Sequence, residues 1–139
     1  MNKKRVDGWI LKAKRALCTF GIAENGKIVK TYRSHISSFG SAVAGGSLVS
    51  AAAFFCEQGN AKVAQENLLQ AMYYLITDES KSPRQILEAV CREQSDSQKY
   101  HELKEKFEDA SLALKRAMNF FDLIDDEQDP ARERNGNGE

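Results

Sequence analysis

A chain of 139 residues, 42% hydrophobic and 29% charged, can bury a single core without disulfide or metal support. No apolar stretch approaches the roughly 18 residues of a membrane span, and the basic start MNKKRVDGW is not followed by an apolar signal region. Two prolines, nine glycines and no Val/Ile/Thr-rich alternation argue against a sheet, so the expectation is a soluble cytoplasmic all-α protein with no membrane partner.

Hydrophobic periodicity predicts six helices. The first covers about 4–20, where Val6, Trp9, Ile10, Ala13, Leu17 and Phe20 recur on one face. Gly21 and a Glu24-Asn25-Gly26 turn end it. The second covers about 27–44, with Ile28, Val29, Tyr32, Ile36, Phe39 and Val43 as its stripe, until Gly45-Gly46 breaks the pattern. Ser47 is a plausible N-cap for a third helix over 47–58, which Gly59 ends. A fourth, over 61–77, carries Leu68, Leu69, Met72, Leu75 and Ile76. Ser82-Pro83-Arg84-Gln85 is a capping-box pattern with proline at the first helical position, which marks the start of a fifth helix over 83–94. After Ser95-Asp96-Ser97 the sixth runs over 98–124, its core stripe formed by Tyr100, Leu103, Phe107, Ala110, Leu114, Met118 and Phe121. The fold class is therefore all-α: one compact bundle of about six helices over residues 1–125. Residues 126–139 lack apolar periodicity and read as a disordered acidic and polar tail.

The absence of net charge conceals a division. Residues 1–33 hold nine Lys/Arg against Asp7 and Glu24, a balance of +7, while the remainder holds eleven against eighteen, a balance of −7. Such asymmetry points to a polyanionic or acidic partner at one end, or to mutual attraction between the two segments. On the second helix Lys30, Ser34, Ser37 and Ser41 share the face opposite Tyr32 and Phe39, with Lys27 and Arg33 at its edges. Small hydroxyls beside cations suit phosphate oxygens, although an ordinary solvated face has the same composition. On the first helix Lys4 and Arg15 point outward, flanked by Arg5 and Lys12. The candidate RNA contacts are Lys12, Arg15, Lys27, Lys30 and Arg33. Tyr32, Phe39, Phe54, Phe107 and Phe121 read as core. Phe120 projects away from the Phe107/Phe121 face, roughly with Leu112, Ala113 and Leu123. Leu112, Phe120 and Leu123 form either a subunit contact or part of a wide buried face.

The residues suggest neither cofactor nor metal. Asp122, Asp125, Asp126, Glu127 and Asp129 lie at a helix end where carboxylates oppose the macrodipole, which suits a solvated tail better than Mg²⁺. Cys18, Cys56 and Cys91 are far apart and form no CxxC, so buried or semi-buried free thiols are expected, and His35 and His101 complete no zinc set. There is no GxSxG, Walker loop or HExxH, and the chain does not read as an enzyme.

The order Tyr32, Ile36, Phe39, Val43, Gly46, Leu48, Ala51, Ala53, Phe54 resembles the central signature of the small all-helical subunit of Cmr-type (type III-B) CRISPR effector complexes. That signature has an aromatic, an apolar run, an Asn-Gly-Leu-like break and a Leu-Ala-Phe-like segment. Here the break falls on Gly46-Ser47-Leu48, and Gly40 stands where the family carries proline. The resemblance implies a non-catalytic structural subunit, stacked with copies of itself into a filament beside the other subunits of the complex. It also implies that the subunit lines the channel of the guide RNA and target RNA. The alternative is a helical protein-interaction adaptor with no nucleic-acid role.

Overall fold

The first helix, α1 (Lys3–Thr19), starts at Asn2, whose side-chain oxygen accepts from the Arg5 amide at 3.0 Å. It ends where the Ile22 amide donates to the Leu17 carbonyl and the Gly21 amide to that of Cys18, the paired closure of a Schellman motif. Ile22 is thereby turned into the core. This is a computed structural model, and it describes residues 1–57 and 62–125.

A short sheet follows, which the helical reading of residues 27–44 does not anticipate. Asn25 and Gly26 have φ of 54° and 76°, the left-handed pair that a two-residue hairpin turn demands. They join β1 (Ala23–Glu24) to β2 (Lys27–Val29) in antiparallel register, Ala23 opposite Ile28 and Glu24 opposite Lys27. Ile28 and Val29 are β-branched and buried, so they extend the hairpin, and α2 begins only at Lys30 (Lys30–Gly45).

α3 (Leu48–Phe55) opens on Ser47, whose hydroxyl accepts from the Ser50 amide at 3.0 Å. Before it the chain turns tightly: a Cβ on Gly46 would lie 3.0 Å from the Ala42 carbonyl oxygen. The stripe Leu48, Ala51, Ala52, Phe55 is buried. Phe54, expected in the core, falls off that stripe and is 52% exposed. α4 (Lys62–Thr77) leads to α5 (Pro83–Arg92), where Ser82 and Gln85 form the expected reciprocal capping box. α6 (Ser97–Ala117) is capped by Asp96, which accepts from the Gln98 and Lys99 amides.

α6 is shorter than its apolar pattern suggests. It passes into a 3₁₀ turn at Met118–Phe120 and then into β3 (Asp122–Ile124), which pairs in parallel with β2. The Asp122 amide also donates to the Gly26 carbonyl at 2.9 Å. Pairing along β2 sets Ile124, 8% exposed, beside the buried Val29.

The described residues thus form a six-helix bundle edged by three short strands. α6 packs on α1, α2 and α4, while α3 packs on α2 and α5. Phe39 is the hinge of the aromatic core, its ring centroid 5.0 Å from Phe55 and 6.1 Å from Phe107. The expected tail, 126–139, lies outside the described residues.

Candidate nucleic-acid interface

Lys30, Arg33, Ser34 and Ser37 occupy positions i, i+3, i+4 and i+7 of α2, so their side chains rise from one face. Two distant segments turn that face into a groove. Lys115 from α6 and Leu123 from β3 form the rest of the lining, giving an open depression of about 440 Å³. Three cations and two hydroxyls line a surface open to solvent, a composition suited to phosphate oxygens.

The groove's cations are held differently. The Lys30 ammonium lies 3.2 Å from Asp125 Oδ1, with both side chains mostly exposed. Such a pair contributes about 0.2–1 kcal/mol and weakens further with salt. The Arg33 Nη1 donates to Asn119 Oδ1 at 3.3 Å, one of five guanidinium donors, which steadies the fork toward the 3₁₀ turn. Lys115 makes no ion pair among the described residues.

The other expected cations separate. Lys27 is exposed on β2, in register with Glu24 on one side and Asp122 on the other. Lys12 is engaged within the fold: its ammonium donates to the Leu75 carbonyl at 3.2 Å, pairs with Asp78 and lies 5.1 Å from the Tyr74 ring centroid. It thus neutralises the C-terminal end of α4. Arg5 pairs inward as well, through Nη1 to Asp109 Oδ2 at 2.9 Å. Arg15 is exposed on α1, where it lines a shallow depression with Leu11, Lys14, Cys18 and Thr19.

The three apolar candidates do not form one helical patch. Leu112 lies on α6 and Leu123 on β3, and both pack against the core. Phe120 stands apart in the 3₁₀ turn, 52% exposed, with the Lys14 ammonium 4.8 Å from its ring centroid. Neither Lys115 nor Asn119 stands out in the sequence, because nothing local announces that α6 and its turn reach the polar face of α2.

A further depression, lined by Tyr73, Thr77, Glu93, Lys99, Glu102 and Lys106 among others, mixes both signs of charge. Burial pushes the Tyr73 phenol above its usual pKa and Glu79 adds to the effect, against a smaller opposing influence of Arg92. The described residues contain no group of three or more His, Cys, Asp or Glu able to hold a metal. Of the acidic cluster, Asp126, Glu127 and Asp129 lie outside them. The thiols differ from expectation: Cys18 and Cys91 are exposed, and only Cys56 is half-buried, donating to the Pro83 carbonyl at 3.4 Å. No described helix is long and apolar enough to cross a membrane.

Compared with family models, with curated proteins and with solved structures, the chain matches none of them.

Proposed function

We propose that the chain is a non-catalytic RNA-binding subunit that holds phosphates in the groove between α2, α6 and β3. The observation that carries this reading is that Lys115 of α6 joins Lys30, Arg33, Ser34 and Ser37 of α2 in one depression, setting three cations beside two hydroxyls. Binding there depends on charge and position, since nothing in the lining is arranged to read base edges. The resemblance of the Tyr32–Phe54 pattern supplies the context: a small subunit of a type III-B CRISPR effector, stacked with its own copies beside guide and target RNA. In such an assembly base pairing selects the sequence and the protein holds the backbone.

The triple variant Lys30→Glu, Arg33→Glu, Lys115→Glu tests the groove by fluorescence anisotropy with labelled RNA. Wild-type affinity should fall with salt along a log–log slope near −2, as about three neutralised phosphates on a single strand imply. The variant should lose at least tenfold at low salt while its circular dichroism is unchanged. Equal affinity of variant and wild type, alone and within an assembled complex, would refute the groove.

A protein-interaction adaptor is the second reading, favoured by the exposed Leu11 (64%) and Phe54 (52%). It expects no RNA affinity even at low salt.

A further inference from the structure

Beyond the groove, the basic surface continues onto an aromatic ring. Asn119, the hydrogen-bond partner of Arg33, is followed immediately by Phe120 in the 3₁₀ turn. The turn is pinned by the fully buried Met118 and by the Phe121 amide donating to the Met118 carbonyl at 3.1 Å. Phe120 is nevertheless 52% exposed, although burying a Phe side chain is worth about 1.5–3 kcal/mol. The Lys14 ammonium lies over one face of the ring, 4.8 Å from its centroid, and Lys14 shares its depression with Arg15. Asn119 and Phe120 thus stand between Arg33, which bonds to the first, and Lys14, whose ammonium lies over the second.

An exposed ring with an ammonium over one face is poorly suited to an apolar protein contact, which would have to strip water from Lys14. It suits a nucleotide, which brings a flat π-face and an anionic backbone together. We propose that Phe120 is a stacking platform for an unpaired base of single-stranded RNA, whose flanking phosphates lie toward Arg33 on one side and Lys14 and Arg15 on the other. The inference rests on the RNA-binding reading of the groove and adds a ligand class to it: single strands over duplexes. A paired base has its faces covered by its neighbours and gains nothing from the ring.

The test compares a labelled single-stranded oligoadenylate with a blunt RNA duplex in anisotropy titrations. Phe120→Ala should weaken single-strand binding about tenfold and leave the duplex unchanged, as base–aromatic stacking predicts. Phe120→Trp should keep the single-strand affinity, and its added emission should be quenched by oligoadenylate and not by duplex. Because Phe120 is already half exposed, both variants should melt like wild type; if the alanine variant does not, the tryptophan signal decides. Single-strand binding unaffected by Phe120→Ala, while the groove variant weakens both ligands, would overturn the platform and leave the groove standing. Equal loss on both ligands would also overturn it, since stacking cannot act on the duplex. Failure of the wild-type chain to bind either RNA removes both proposals together.

Discussion

Arg5 and Lys12 share a helix with Arg15, yet the fold gives the three cations different tasks. Asp109 is 1% exposed and accepts from both Arg5 Nη1 and the Asn2 amide, at 2.9 and 3.2 Å. Removing one partner of a buried ion pair strands the other charge out of water. Arg5→Ala should therefore destabilise the chain by about 3 kcal/mol in denaturant unfolding, more than any exposed lysine substitution on α1. Double substitution with Asp109→Leu should recover much of that loss, because the stranded carboxylate is gone. Single-residue chemistry of this kind is not legible in the sequence. A helical wheel puts Arg5 and Lys12 on the flanks of an outward face, and only the neighbours, Asp109 on α6 and the end of α4, decide that they turn in.

At the scale of elements, the long amphipathic stripes were readable and the short pairings were not. The stripe of α1, that of α6 as far as Leu114, the Gly45-Gly46 break and the Ser82 capping box stand in the sequence as they stand in the fold. Strands of two and three residues give periodicity no window in which to act. The available signal was Asn25-Gly26 ahead of Ile28-Val29, a hairpin cue that the apolar stripe of the following helix masks. Gly26, at φ of 76°, carries a specific expectation. Gly26→Ala should cost about 1 kcal/mol or more in thermal unfolding, with helical circular dichroism below the transition unchanged, since the left-handed turn and not a helix is strained. Phe54 and Phe55 show the same limit at finer grain. Phe54 and Phe55 point about 100° apart on α3, and the buried stripe Leu48, Ala51, Ala52 continues to Phe55 and leaves Phe54 outside.

Across the whole molecule, the opposing charges of the two segments meet in part. Arg5–Asp109, Lys12–Asp78 and Lys30–Asp125 each join the basic first third to the acidic remainder. Mutual attraction thus accounts for part of the +7 and −7 division, although Lys30 stays mostly exposed beside its partner. The groove could not be drawn from the sequence for a related reason: its walls come from α2, α6 and β3, and no pattern reports their distance. One consequence of the parallel pairing concerns the order of assembly. β2 and β3 join Lys27 to Asp122, Ile28 to Leu123 and Val29 to Ile124, so every helix from α2 to α6 is enclosed between them. Closing so long a loop costs entropy before any contact compensates for it, so this seam should form after the helices have docked. Amides of residues 122–124 should then gain hydrogen-exchange protection later than those of α1 and α6 during pulse-labelled refolding; simultaneous protection would contradict that order. A ribosome-bound chain still lacking β3 would hold a helical bundle whose groove between α2 and α6 is missing its Leu123 wall.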